Sequence, residues 1–403
     1  MDDLSKIRLK VFFDPAALSP DRSADFTCAP SENKTIGFIP ADIIGYQWDN
    51  CFNMEQMWTE LKSRMEKTSA GPDSGLPAGV SNTANIFKLL TASGQIMGLN
   101  IEGDILPAFG DEAGWFLRDI RLSGSFPVPQ FLLFVKVKDE EKAKNVVGTL
   151  MKQPFFVPQN EDYKGTALQY LSLPTGGDPQ PGFAFFNGYL LLGINPQIIK
   201  DTIDVSSQPP DNLAASVFFK EMDFGLTDKN RIIHFLKFDR LVDKIKYLLD
   251  WSVDQSKKQE EKQLAFKTGA EKRLEDIKKD IIRIDNEMSG LDGKVVDATN
   301  EKKKLEEQGL PTEDKEAELK TAEDQKQAKE DELKAAYAKK IEQEQTIKGY
   351  EPDVLLQEQQ RVSRDDLIYP VLDGLRSIQT ISARSTVEAN AWNVQIFIKS
   401  GHQ

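Results

Sequence analysis

The chain has 403 residues, carries a formal net charge of -13 and has a pI near 4.9. A nucleic-acid partner is not expected, because phosphate binding needs a positive field that an acidic chain lacks overall. No apolar run approaches the ~20 residues of a membrane-spanning helix, so we expect no transmembrane segment in this chain. The length exceeds one ordinary core and predicts a compact body with further structure attached.

Residues 35–229 are predicted to form a first α+β half, after a tail or loop at residues 1–34 that contains one strand near residues 8–13. Asn53, Asp139 and Asn195 each precede a helical pattern and are predicted N-caps. Asn187-Gly188 lies between two apolar runs, which is a strong signal for a β-hairpin. A further helix is predicted at residues 83–93. The signals together predict an antiparallel sheet with packed helices.

A second pass through the same order of elements begins near residue 230. A strand at residues 232–237 precedes a helix capped by Asp239, much as a strand at residues 43–48 precedes the helix capped by Asn53. A helix at residues 354–361 and two final strands complete this part. We therefore predict a second α+β half, formed by residues 230–269 and 350–403, that loosely repeats the first half within one mainly antiparallel sheet.

Residues 270–349 interrupt the second half and predict two long helices folded against each other. Gly309 and Pro311 separate the helices, because Gly often ends a helix and Pro often begins one. The apolar positions of the first helix are Ala270, Leu274, Ile277, Ile281, Ile284, Met288, Leu291, Val295, Ala298 and Leu305. Those of the second are Leu319, Ala322, Leu333, Ala336 or Tyr337, Ile341 and Ile347. This spacing predicts a protruding antiparallel coiled-coil arm of about 55 Å per limb at ~1.5 Å per residue.

The second helix of the arm also places lysines at inward positions, namely Lys326, Lys329 and Lys340. Each replaces a large apolar side chain whose burial would contribute about 1.5–3 kcal/mol. The pattern therefore predicts that the arm is marginally ordered at mid-length or that another helix packs there.

Five motifs of the chain resemble an exported bacterial family known only as a domain of unknown function. They are Phe38-Ile39-Pro40-Ala41-Asp42, residues 98–112 with Asp104-Ile105-Leu106-Pro107, the strand and cap at residues 131–139, Tyr163-Lys164-Gly165, and Phe186-Asn187-Gly188-Tyr189-Leu190. The resemblance is closer over residues 35–203 than over the C-terminal part. It implies an α+β body, often tethered to the cell envelope, with no established activity or catalytic residues. The arm departs from the family, since most members lack or shorten it.

The chain has two cysteines, Cys28 and Cys51, which flank one predicted strand. Joined, they would close a loop of about two dozen residues and stabilise the fold by roughly 3 kcal/mol in the chain-entropy model. Unjoined, they would be two buried thiols, as is usual in cytosolic proteins. The family resemblance favours the disulfide. It also favours an exported protein, periplasmic or extracellular, whose targeting segment is absent from this chain.

The clustered carboxylates Glu102, Asp104, Asp111 and Glu112 are the candidates for acid–base chemistry or calcium binding. Their spacing matches no calcium loop, and Asp104 and Asp111 are better suited to capping a helix and a turn. The two histidines of the chain are too few for a metal site. We therefore predict no catalytic residue, no cofactor and no metal site.

The sequence favours a non-enzymatic envelope scaffold or adaptor whose arm binds a partner protein or a second copy of the chain. Partner contacts are expected at the tip of the arm, at Gln308, Leu310, Thr312 and Glu313. One alternative is a carrier that binds an apolar ligand on the sheet, because the strands near residues 131–134 and 183–189 are rich in aromatic residues. The other alternative is a hydrolase of unknown class.

Overall fold

The computed structural model describes residues 3–18, 28–69, 98–123, 126–152, 157–172, 179–349 and 363–401. The helices predicted at residues 83–93 and 354–361 lie outside the described residues. The chain divides into two compact units, one formed by Met1–Leu248 with Tyr369–Gln403 and the other by Leu249–Ile368. Within the described ranges, no helix is both long enough and apolar enough to cross a bilayer.

The first unit is built on an eleven-stranded antiparallel sheet. The strands are β1 Asp3–Phe12, β2 Gly45–Asp49, β3 Phe109–Ser123, β4 Phe126–Val137, β5 Pro158–Tyr163, β6 Thr166–Leu171, β7 Gly182–Phe186, β8 Tyr189–Gly193, β9 Ile232–Lys237, β10 Ile378–Glu388 and β11 Ala391–Ser400. Across the sheet their order is β1-β11-β10-β9-β2-β3-β4-β8-β7-β6-β5. The predicted α+β class with a mainly antiparallel sheet is therefore confirmed.

Helices fill the connections between these strands. They are α1 Met54–Ser69, α2 Leu106–Ala108, α3 Glu140–Met151, α4 Pro196–Ser207, α5 Val217–Glu221, α6 Phe238–Glu307, α7 Glu313–Lys348 and α8 Tyr369–Leu375. Asn53, Asp139 and Asn195 each accept a hydrogen bond from the backbone N–H three residues later. These three predicted N-caps are confirmed, because each side-chain oxygen satisfies an N–H that has no partner inside its helix. The prediction that Asp239 caps α6 is wrong, because α6 begins at Phe238 and Asp239 lies in its first turn.

The two halves of the sheet meet at β2 and β9, which pair antiparallel with Gly45 opposite Leu236 and Asp49 opposite Ile232. In the first half, β2 is followed by α1 and then by the paired strands β3 and β4. In the second half, β9 is followed by α6 and α7 and then by the paired strands β10 and β11. The order of elements along the chain repeats as predicted. In that order, the long helical hairpin of the second half occupies the position that α1 occupies in the first half.

The main core covers one face of the sheet. Phe134 of β4 is 1% exposed and contacts the rings of Phe38 and Tyr46 at centroid distances of 5.7 and 6.4 Å. Ile198 of α4 and Phe219 of α5 belong to the same buried cluster. Because this face takes large apolar residues from β2, β3, β4, β8 and β9, their burial is the principal force that holds the sheet unit together.

A second cluster lies on the other face of the sheet. Leu190 of β8 packs there with Ala143 and Val146 of α3, whereas the next residue, Leu191, lies in the main core. Successive side chains of a strand point to opposite faces, so α3 covers the face opposite the main core. On that face, Leu133 and Leu192 form a directly opposed pair and are 44% and 39% exposed.

The N-terminal strand is longer than the sequence indicated. It spans Asp3–Phe12 and pairs along its whole length with β11 at one edge of the sheet. Its residues are all exposed, so no run of buried apolar side chains marked it in the sequence.

Farther along the chain, Cys28 and Cys51 are joined by a disulfide with their Cα atoms 6.0 Å apart.

Candidate interaction surface

The turn between α6 and α7 forms a Schellman motif. The N–H of Leu310 donates to the carbonyl of Leu305, and the N–H of Gly309 donates to the carbonyl of Glu306. Gly309 has φ +68°, a left-handed conformation that glycine adopts without a steric penalty. The glycine therefore ends α6 where the sequence predicted, and α7 begins at Glu313.

The residues predicted to contact a partner lie together in this turn. Gln308 follows the last residue of α6, and Leu310 is 49% exposed. Thr312 is the N-cap residue of α7, although its side chain makes no capping hydrogen bond, and Glu313 is the first residue of that helix. The turn thus presents one exposed leucine among polar groups, and its role in partner binding stays a prediction.

The inward stripe of α6 follows the spacing read from the sequence. Ala270, Ile284 and Ala298 are buried. The other stripe positions are less exposed than their neighbours: Leu274, Ile277, Ile281, Met288, Leu291, Val295 and Leu305. Lys302, the one gap in the apolar pattern, also lies in this stripe and pairs with Glu316 of α7 at 2.8 Å. The stripe therefore continues through a lysine that reaches an acid on the other helix.

Lysines on the inner side of α7 make the same kind of contact in the opposite direction. Lys315 pairs with Glu301 at 2.7 Å, Lys326 with Asp292 at 2.6 Å, and Lys329 with Glu287 at 2.7 Å. Long lysine side chains can cover apolar surface while the ammonium group stays in water. Lys326 and Lys329 thus reach carboxylates of α6, whereas Lys340 pairs with Glu344 of its own helix at 3.8 Å. Marginal order at mid-length, or packing of another helix there, stays a prediction.

The pKa values in the hairpin shift in the directions that these pairs require. Hydrogen bonds from Lys329 and Arg283 lower the pKa of Glu287. Hydrogen bonds to Glu287 and Glu332 raise the pKa of Lys329. Glu287 is exposed and Lys329 is partly exposed, so solvent screens the attraction and each pair contributes little to stability. Their main effect is to set which residues of α6 and α7 lie opposite each other.

The register of α7 differs from the prediction near its C-terminal end. Ala336, Lys340 and Ile347 keep the inward positions, while Tyr337 and Ile341 are 47% and 55% exposed. The prediction that Ile341 points inward is wrong, because the stripe continues through the amphipathic Lys340 one residue earlier. Tyr337 and Ile341 lie one helical turn apart and form what we call the α7 patch. The ammonium of Lys340 lies 5.9 Å from the centre of the Tyr337 ring.

Glu112 occupies a buried polar site in the sheet and is 7% exposed. Its Oε1 accepts hydrogen bonds from the indole of Trp48 at 2.7 Å and the hydroxyl of Tyr189 at 2.6 Å, and its Oε2 accepts from Lys136 at 3.1 Å. Burial and the bond to Glu112 raise the pKa of Tyr189 well above its usual range. Both carboxylate oxygens are occupied, so this group joins β2, β3, β4 and β8 through hydrogen bonds.

The other clustered carboxylates have separate partners. Asp104 accepts from the backbone N–H of Asn100 at 2.7 Å. The N-cap of the short helix Ile101–Ile105 is Asn100, whose side chain accepts from the N–H of Gly103, so the prediction that Asp104 is the cap is wrong. Asp111 lies within β3 and pairs with Lys138 at 2.6 Å, so its predicted role as a turn cap is wrong. Among the residues that the structure describes, no group of three or more His, Cys, Asp or Glu residues is arranged to hold a metal ion.

These features define an α+β protein with an antiparallel sheet, in whose chain a long helical hairpin follows β9 and precedes β10. The chain belongs to the family described as "Protein of unknown function (DUF3352)", whose model matches residues 97–321, more than half of the chain. The match begins after the motif at residues 38–42 and continues through α6 into α7. It therefore includes much of the hairpin that the resemblance treated as a departure. No curated protein and no solved structure gives a significant match.

Proposed function

We propose that this protein is a non-enzymatic scaffold or adaptor of the cell envelope whose helical hairpin binds a partner protein. One observation carries the proposal: the hairpin pairs its own inner stripe and leaves apolar residues exposed on its outer surface. Tyr337, Ile341 and Leu310 are 47%, 55% and 49% exposed. Exposed aromatic and aliphatic side chains on a rigid helix are the groups that anchor helix-mediated protein contacts.

The composition of the inner stripe supports a display role for the hairpin. A hairpin that served only to stabilise the protein would gain most from leucine and isoleucine at every inward position. Here lysines occupy several of these positions, and the ammonium groups of Lys315, Lys326 and Lys329 reach carboxylates of the other helix. The ion pairs align two long helices without large apolar burial. This arrangement suits a hairpin that stays folded while its outer side chains remain available to bind a partner.

The cell-envelope location rests on the disulfide and on the family resemblance. Cys28 and Cys51 are bonded, and structural disulfides persist in oxidising compartments such as the periplasm and the extracellular space. The bond is compatible with an exported protein.

Site-specific photo-crosslinking in the native host tests the hairpin directly. A benzophenone amino acid at position 337 should give a crosslinked adduct with one defined protein, and Ile341→Lys should remove that adduct. The matched control places the same label at position 296, because Val296 is also exposed on the hairpin, at 56%. Equal adducts at both positions, or none at position 337, would contradict binding through the α7 patch.

A second candidate function, binding of an apolar ligand, has one specific observation in its favour. Leu133 and Leu192 are exposed side by side on the sheet face opposite the main core, and the rings of Trp115 and Phe131 contact each other on that face at 5.7 Å. A fluorescent fatty acid should bind the protein, and Leu133→Glu should weaken the binding. Leu122→Glu is the control, since Leu122 is similarly exposed on β3. Absence of binding to the unaltered protein would remove this candidate.

A further inference from the structure

Strand β1 is an open edge of the sheet. It spans Asp3–Phe12 and pairs with β11 on one side. Within the described part of the chain, no strand pairs with its other side. An open strand of ten residues presents a row of backbone N–H and C=O groups that can bind another extended chain. Every residue of the strand is exposed, so an incoming chain would meet no covering element of the described structure.

The two faces of β1 carry different chemistry. Ile7 and Leu9 lie opposite Ile396 and Val394 of β11, so they extend the apolar side of that strand. They are 51% and 55% exposed. The alternate positions hold basic residues, Lys6, Arg8 and Lys10, of which Lys10 already pairs with Glu388 at 2.9 Å. The strand therefore offers an apolar face and a cationic face, each with a period of two residues.

The cationic face distinguishes β1 from the rest of an acidic protein. The chain as a whole has a net charge of -13. Partial desolvation against the sheet lowers the pKa of Lys6 most, and the charges of Arg8 and Arg384 lower it further. The ammonium of Lys6 lies 4.8 Å from the centre of the Phe397 ring, which holds the side chain along the sheet.

This charge pattern disfavours pairing between two copies of β1. In an antiparallel pair of identical strands that keep the same face, Lys6 would lie opposite Arg8 or Lys10 of the second copy. Like charges placed directly opposite each other destabilise a strand pair. Lysines on an edge strand often protect against this kind of self-association. The same lysines would attract a strand that carries carboxylates at alternate positions.

We propose that β1 binds an extended segment of a partner protein in which acidic residues alternate with aliphatic residues, so that the segment adds a strand to the sheet. The acidic residues would lie opposite Lys6 and Arg8, and the aliphatic residues opposite Ile7 and Leu9. Main-chain hydrogen bonds would supply a large part of the affinity, and the alternating side chains would set the specificity and the register. No residue of the helical hairpin belongs to this surface.

Fluorescence anisotropy with a labelled peptide of alternating Glu and Val residues and the full chain tests the proposal. The peptide should bind saturably, and the double variant Lys6→Glu with Arg8→Glu should weaken binding about tenfold or more, because two attractive cross-strand pairs become repulsive. The matched control is Lys278→Glu with Lys303→Glu, which makes the same change of charge at exposed positions of α6. The control should bind the peptide as the unaltered protein does.

Two altered peptides separate strand addition from simple charge attraction. A peptide with Lys in place of Glu should not bind. A second peptide has the Glu/Val sequence with N-methyl groups at alternate backbone positions, so it keeps its charge but loses the N–H donors at those positions. It should bind at least about tenfold more weakly than the unmodified peptide. Hydrogen exchange of the β1 amides should slow when the unmodified peptide binds. Equal binding of the N-methylated peptide would overturn the proposal, and this comparison needs no variant of the protein.

Discussion

The sheet unit and the helical hairpin are stabilised by different kinds of interaction. In the sheet, large side chains such as Trp48, Phe116 and Phe134 are at most 1% exposed. In the hairpin, the buried residues are Ile284 and small alanines. The other inward positions are half-buried apolar residues and lysines, several of which form ion pairs with the other helix. Apolar burial responds weakly to salt and pH, whereas exposed ion pairs respond strongly. One chain therefore combines a sheet unit whose stability changes little with salt and pH and a hairpin whose helix pairing depends on both.

The largest expected effect is the loss of a core ring in the sheet. Phe134→Ala should lower the free energy of unfolding of the sheet unit by about 3–5 kcal/mol, because it removes a buried ring and leaves a cavity. Urea unfolding followed by tryptophan fluorescence measures the change. Leu310→Ala is the control and should change the result by less than about 0.5 kcal/mol, because Leu310 is exposed at the turn. A small effect of Phe134→Ala would show that the sheet depends less on this core than we argue.

A polar change in the same unit should have a smaller effect. Glu112→Gln keeps the shape of the side chain but removes the charge that accepts hydrogen bonds from Trp48, Tyr189 and Lys136. We expect a loss of about 1–3 kcal/mol, since a buried acceptor is replaced by a group with a surplus donor. Glu102→Gln is the matched control, because the side chain of Glu102 is 57% exposed. Equal stability of the two variants would mean that the buried hydrogen bonds of Glu112 contribute nothing.

Changes at the inner lysines test how much the ion pairs contribute to the stability of the hairpin. Lys326→Leu with Lys329→Leu converts two ion-paired positions into apolar ones, and we expect the thermal midpoint of the hairpin to rise by a few degrees. Lys329→Glu should lower it, because the new carboxylate would face Glu287 and Glu332. Circular dichroism at 222 nm follows both variants. Lys303→Glu, on the exposed side of α6, serves as the control for charge alone.

The smallest expected effect is the response of the hairpin to pH. The pKa values of Glu287, Glu301 and Glu316 are lowered mainly by hydrogen bonds from lysines of the other helix. A carboxylate with a lowered folded-state pKa contributes stability above its unfolded-state value, near 4.5, and loses it as the pH falls through the folded-state value.

The lysine partners respond at the other end of the pH range. Hydrogen bonds to carboxylates raise the pKa values of Lys302 and Lys329 above 10.5, so their contribution is present below that value and is lost at higher pH. Helix content of the hairpin should therefore be constant from about pH 6 to 9 and decrease slightly on either side. Circular dichroism of the Lys326→Leu, Lys329→Leu variant should show a weaker acid response. If the variant and the unaltered protein lost equal helix content at low pH, the ion pairs of Lys326 and Lys329 would not be the source of the acid response.

Local signals in the sequence account for much of the hairpin and for several turns. Gly309 ends α6 because glycine adopts the left-handed conformation that a Schellman motif requires. Asn187 and Gly188 both have positive φ values, as the two-residue turn between β7 and β8 demands. These predictions succeed because a helix end or a tight turn depends on residues that are neighbours in the chain. The inward stripe of α6 succeeds for the same reason, since helical periodicity is a local property.

The polar contacts could not be predicted in the same way. Glu112 was recognisable as a candidate acid, but its partners come from three other strands, and only the strand order brings Trp48, Lys136 and Tyr189 to its oxygens. The acids that neutralise Lys326 and Lys329 lie on α6, so they depend on how two antiparallel helices align. Tyr337 and Ala336 were equally plausible inward residues until the register of α7 decided between them.

By itself, the sequence determined the α+β class, the helix caps Asn53, Asp139 and Asn195, the hairpin turn and the loose repetition of the two halves, because each follows from periodicity or from the conformational preferences of adjacent residues. Only the tertiary structure decided the strand order, the placement of β1 at an open edge and the partners of the buried and inward charges. Those features depend on contacts between residues far apart in the chain, whose geometry no local pattern encodes.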